Sequence, residues 1–189
     1  MRTTLPPTPP SLSARERILL SAHALFYRDG IRATGIDRVI VEAGVTKVTF
    51  YRHFPSKNDL ILAFLAYRHQ RWMAWFVDEL QRHGQVVAAL VPALAEWFGD
   101  DNFRGCAFIN SVGELGGTLP EVVAIARRHK QDMVNVIAGL LAPSARRKKD
   151  AQAIALAVDG AIIRAQIDQS PDAALQALAW VLKSLQAGQ

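Results

Sequence analysis

Residues 34–60, TGIDRVIVEAGVTKVTFYRHFPSKNDL, contain three helix starts in 27 residues, so no helix of ordinary length fits there. Thr34 and Asp37 have the spacing of a capping box, which predicts a helix from about Gly35. Ile36, Val39 and Ile40 recur at helical spacing up to Gly44, a residue suited to the left-handed position that ends a helix. Thr46 then caps a second helix over about Lys47–His53. On it, Val48 and Phe50 or Tyr51 turn partly inward, and Lys47, Thr49, Arg52 and His53 form the polar surface. Phe54-Pro55 stops that helix, because a residue before proline disfavours the α region. Ser56 and Asp59 form another capping box. Lys57 then falls in a first turn, where its charge opposes the helix dipole unless an anion lies nearby.

Two short helices about a glycine turn, the second with donors on its outer face, have the pattern of a helix-turn-helix whose second helix enters the major groove. The run Ala43-Gly44-Val45-Thr46-Lys47, continued by Thr49-Phe50-Tyr51-Arg52-His53-Phe54-Pro55-Ser56-Lys57, resembles the DNA-binding domain of the tetracycline-repressor (TetR) family. The resemblance covers roughly residues 13–62. It implies that Thr34, Thr46, Thr49, Tyr51, His53 and Lys57 grip phosphates while Lys47 and Arg52 face base edges, with Tyr51 also placed for a base. The division is chemically sound, since an arginine can pair bidentately with guanine whereas hydroxyls, imidazole and ammonium suit phosphate oxygens. Thr34, Thr46 and Ser56 have a second role as caps, and Tyr51 has one as core. Val48 departs from the family pattern, which usually has a small residue or proline there.

Charge agrees with a polyanionic partner. The chain has 189 residues and a net charge of +5, and residues 1–60 carry nine basic against five acidic side chains, most of that excess. Half the residues are hydrophobic, enough for a real core. A single cysteine excludes an internal disulfide. No apolar run is long enough to span a bilayer or resembles a signal peptide, so the expected location is cytoplasmic, with no membrane partner.

The expected fold is all-α, with about nine helices. Residues 1–12, rich in proline, are read as a disordered arm; 13–60 as the helix-turn-helix domain; and 61–189 as a helical effector-binding and dimerisation domain. Ser13 and Glu16 cap the first helix, whose stripe of Ile18, Leu19, Ala22, Leu25 and Phe26 ends at Asp29-Gly30. Beyond residue 60, breaks fall at His83-Gly84, Gly99-Asp100, Gly116-Gly117, Pro143-Ser144 and Ser170-Pro171. Pro92 is expected to kink a helix over about Val86–Phe98; Thr118 with Glu121, and Ser170 with Pro171, mark helix starts. The basic run Arg146–Lys149 reads as the solvated start of the eighth helix.

The last two helices bear on assembly. Over 145–168, Ile154, Val158, Ala161, Ile162 and Ala165 share one face, and Leu156, Ile163 and Ile167 fall nearly opposite. The final helix carries Leu175, Leu178, Val181, Leu182 and Leu185 on a broad stripe, with Trp180 on the other side. Two apolar faces on a peripheral helix need a partner beyond its own domain. The reading is a two-fold homodimer through a four-helix interface, assigned to the first-named face and the stripe, as the family resemblance also implies. Such a dimer meets successive major grooves of an inverted-repeat operator in double-stranded DNA.

Family members typically bind a small molecule in the second domain. The aromatic residues Trp72, Trp75, Phe76, Trp97, Phe103 and Phe108, with the polar stripe Cys106, Asn110 and Glu114 and with His129 nearby, are the expected lining of an effector pocket. No cofactor or metal is expected. Nothing in the local sequence of Cys106 singles it out as a redox sensor. The sequence lacks H-E-x-x-H, a nucleophile elbow, a phosphate loop and paired cysteines, so an enzyme is the remote alternative. A sequence-independent architectural DNA binder is the nearer one. The expected function is a homodimeric, ligand-released repressor.

Overall fold

A computed structural model describes residues 12–168 and 170–187. The expected arm over 1–12 lies almost wholly outside them. Among the described residues there are nine α-helices and one 3-10 turn, with no strand. The chain divides into two compact units, Met1–Ile61 and Leu62–Gln189.

The first unit holds α1 (Ala14–Asp29), α2 (Ile36–Ala43), α3 (Lys47–His53) and the start of α4 (Lys57–Arg82). Ser13 and Glu16 form the full capping box of α1. Ile18, Ala22, Leu25 and Phe26 bury its inner stripe against α2 and α3. Gly44, at φ 59° and ψ 44°, ends α2 in the left-handed region, and Arg17 Nε donates to the carbonyl of Ala43 at 3.1 Å, satisfying one of the helix's orphan acceptors. Phe50 and Phe54, 0% and 2% exposed, pin α3 to this core.

The start of α2 departs from expectation. Gly35, not Thr34, is its N-cap, and no side chain caps it. Thr34 is wholly buried and its hydroxyl donates back to the Gly30 carbonyl at 2.7 Å, a local bond that outcompetes capping.

The second unit contains the rest of α4, a 3-10 turn (Val87–Ala89), α5 (Leu90–Phe98), α6 (Ala107–Leu115), α7 (Pro120–Gly139), α8 (Arg147–Asp168) and α9 (Asp172–Ala187). α8 packs on both α7 and α9, and α6 packs on α7. Pro92 does not kink a helix: the chain makes the 3-10 turn and restarts, placing Pro92 in the first turn of α5, where an N–H would have no intrahelical partner. Thr118 does not cap α7. Its hydroxyl bonds to Leu115 O, and α7 begins at Pro120. At the far end of α4, Arg82 donates to the carboxylates of Glu79 and Glu96, while His83 Nε2 lies 2.9 Å from Glu96 Oε1, so this arginine is the cation both acids share.

The assignment of the two faces of α8 is corrected. Ile154, Val158, Ala161, Ile162 and Ala165 are internal core, all at 6% exposure or less, and Leu178 and Leu182 of α9 are buried with them; Leu175, Val181 and Leu185 are half-buried. Within one chain α8 packs on α7 and α9, and α9 packs also on the segment around Val87–Phe98, so the buried residues are taken up inside the protomer. The opposite face is the open one, with Leu156 75%, Ile163 39%, Ile167 64% and Trp180 71% exposed.

Candidate nucleic-acid interface

The outer surface of α3 is set by what its inner surface must bury. With Phe50 fully inward, a turn of about 100° per residue puts Val48 and Arg52 about 20° to either side of the line directly opposite. Val48 is 70% exposed, so it does not turn partly inward as expected; the Lys47 side chain is 68% exposed at the first position of the helix, and Arg52 is exposed near its end. Thr49 and Tyr51 flank this line, half-buried and 40% exposed, and His53 is half-buried at the end of the helix.

Each flanking group also has a structural job. Thr46 Oγ1 accepts the Thr49 N–H at 3.2 Å, capping α3, and the two hydroxyls lie 2.9 Å apart. Tyr51 packs edge-on against Phe50, with ring centres 5.2 Å apart. Lys47 Nζ is 3.8 Å from Asp37, a loose and solvated pair worth little that does not restrain the lysine. Ser56 and Asp59 complete the capping box that opens α4.

Two residues from the sequence reading stand differently here. The Thr34 hydroxyl is sealed and spent on Gly30, so it is withdrawn as a phosphate contact. Lys57 Nζ donates to the Ile31 carbonyl at 2.7 Å. That bond spans 26 residues, so no local pattern could reveal it, and it answers the unfavourable first-turn lysine without any bound anion. Arg38, unremarked in the sequence, reaches Asp29 at 2.8 Å and Arg28 pairs with the same acid; the two guanidiniums hold the Asp29 carboxyl below the usual range, Arg28 foremost.

In the second unit the expected effector residues divide into packed rings and spent polar groups. Trp72 stacks on Phe76 at 4.7 Å and meets Trp97 and His129 edge-on at 5.6 and 5.0 Å, with Trp75 beside it. Phe108 stacks on His129 at 3.7 Å, and Phe103 meets Trp97 edge-on. His129 is 2% exposed, and burial, helped by the charge of Lys130, pushes its pKa down to about 2. Its Nδ1 lies 3.2 Å from Nδ1 of His69, so one of the pair donates. Trp72 is 94% buried, yet its indole N–H has no hydrogen-bond partner. Cys106 is buried at the N-cap of α6, and the Asn110 amide donates to the Arg104 carbonyl, so that stripe does not simply line a void. A cavity of about 330 Å³ lies elsewhere, bounded by Phe98, Asp100, Asp101, Phe103, Arg104, Ala165, Gln166 and Pro171. Phe103 is the one expected effector residue on its wall. The loop acids and Gln166 escaped the sequence reading because distant segments bring them together.

Comparison with known proteins agrees with this architecture. The model of bacterial regulatory proteins of the tetR family matches residues 18–64. SCO4454, a TetR-family transcriptional regulator from Streptomyces coelicolor, superposes with a TM-score of 0.79 at 30% identity, over 91% of this chain and 89% of that one. A putative TetR transcriptional regulator from Streptomyces avermitilis gives 0.78 at 26% identity, over 94% and 98%. An HTH-type transcriptional regulator from Lactococcus lactis is 25% identical over 54% of this chain and 55% of its own. The chain thus spans about half the length of that curated relative, and less of others, such as the activator FasR of Mycolicibacterium smegmatis at 23%. Among the described residues no helix is long and apolar enough to cross a membrane. With a helix-turn-helix of this geometry, a helical second unit and a 30%-identical relative matched over nearly its whole length, the chain belongs to the TetR family of transcriptional regulators.

Proposed function

We propose that the protein is a homodimeric cytoplasmic repressor that reads an inverted-repeat operator with α3 and leaves it when a small-molecule effector binds the second unit. The observation that carries the reading is the outer line of α3, where Arg52 stands exposed and opposite the buried Phe50. An arginine so placed can pair with guanine O6 and N7, and Lys47, exposed at the start of the same helix, is the second residue assigned to a base edge. Thr46, Thr49, Tyr51, His53 and Lys57 surround that line as phosphate contacts.

Dimerisation is supported by the open face of α8. Ala153, Leu156, Gly160, Ile163 and Ile167 are all exposed and follow alternating spacings of three and four, the seam along which two helices pack, and Trp180 of α9 adds a large ring. A two-fold pair built on this face presents two copies of α3 to half-sites about 34–36 Å apart, and a dimer on such a site shuts polymerase out of an overlapping promoter. An effector site is supported by the unpartnered indole N–H of Trp72 among packed aromatics, since a buried donor without an acceptor costs about 1–3 kcal/mol that a ligand oxygen would recover. Release follows if the effector prefers a conformation whose reading heads are wrongly spaced, transmitted by α4, whose residues belong to both units.

Selection from a random duplex pool by wild type and Arg52→Ala tests the reading against an architectural role. A specific regulator loses selection at particular base pairs in the variant. Equal weakening on every sequence contradicts it.

A further inference from the structure

The most outward apolar side chain of α3 is Val48, and its surroundings assign it a ligand. It lies 70% exposed on α3, about 40° around the helix from Arg52 and one turn before it, on the side away from Phe50. A β-branched residue in this position gains nothing in the free protein: it packs on no core and weakens the helix slightly. Beside an arginine aimed at base edges it reaches the same groove floor, where the apolar group on offer is the C5 methyl of thymine. We propose that Val48 is a specificity-determining residue that reads a thymine methyl in each half-site, next to the base pair read by Arg52. The inference rests on the proposed DNA-reading role of α3 and adds a base preference to it. Arginine supplies the polar half of the readout and valine the apolar half, so cytosine at the valine position is discriminated by its missing methyl and exposed amine.

The magnitude follows from one methyl group. Burying it is worth about 0.8 kcal/mol, a factor of about 4 per half-site and about 15 when both half-sites are changed. The experiment uses the duplex recovered by selection with the full-length wild-type protein, with each thymine replaced in turn by uracil, which removes the methyl and leaves the pairing intact. Wild type is expected to lose about 4-fold at one thymine per half-site, while Val48→Ala binds the thymine and uracil duplexes equally. Val48→Ala trims a side chain that stands mostly in solvent, and an unchanged thermal melt establishes that it is folded. Val41→Ala, at a residue 80% exposed on α2, serves as the control and should keep the thymine preference. Indifference of wild type to every uracil, or a thymine preference that survives in Val48→Ala, overturns the proposal while leaving the DNA-reading role standing. Failure of wild type to select any sequence overturns that role, and this proposal with it.

Discussion

Removing the indole of Trp180 separates the two apolar faces of the last helices. Trp180 is 71% exposed, and a tryptophan has about 200 Å² to bury, so about 140 Å² of its surface is open in the single chain. At about 25 cal/mol per Å², covering it is worth about 3.5 kcal/mol per copy, and a two-fold dimer contains it twice. If a partner covers only half of that area, Trp180→Ala still weakens dimerisation by more than about 100-fold. The protomer itself should melt almost as before, since what is removed stands mostly in solvent. Leu178→Ala, two residues earlier and 2% exposed, should behave in the opposite way, costing about 2–5 kcal/mol of protomer stability by opening a cavity. Sedimentation equilibrium for the dimer and urea unfolding for the protomer read the two effects separately. A Trp180→Ala dimer with a dissociation constant within threefold of wild type refutes the assignment of this face.

Other consequences can be checked with single substitutions. His129 is held neutral in the folded chain by burial, with a pKa of about 2, whereas the unfolded chain takes up a proton below about 6.5. Stability is therefore level above pH 7 and falls as the pH drops below about 6.5, by about 2 kcal/mol at pH 5 from this group alone; His129→Phe should flatten the decline, and identical profiles would contradict the buried imidazole. Thr34→Val should lower stability by about 1 kcal/mol through the lost bond to Gly30 and leave the salt dependence of DNA binding untouched. A shallower salt slope with unchanged stability would return its hydroxyl to a phosphate. Lys57→Ala should reduce that slope by about one unit and spare sequence preference, and an unchanged slope would leave Lys57 only its bond to Ile31.

What the sequence revealed was mostly short-range. Ser13 with Glu16, Ser56 with Asp59, Thr46 and the left-handed Gly44 all act within one turn, and the helix boundaries they mark are present in the fold. The misplaced caps at Thr34 and Thr118 share one cause: each hydroxyl found a nearby carbonyl of the preceding segment, a competitor that spacing does not rank against the cap. Periodicity showed two apolar faces on α8 but not which one meets α7 and α9, since both satisfy the same period and only tertiary packing distinguishes them. Val48 was misread similarly. In a seven-residue helix the buried arc is narrow, and Phe50 claims it. The 330 Å³ cavity and the bond from Lys57 to Ile31 join segments far apart in the chain, where local pattern carries no information.

Sequencing the genomic fragments retained by the purified, effector-free protein at physiological salt, with Arg52→Ala alongside, tests the central claim most directly. The account predicts an inverted repeat with half-sites about one helical turn apart, present for wild type and absent for the variant. Retention of fragments with no shared sequence, or of the same sequences by both proteins, would contradict it.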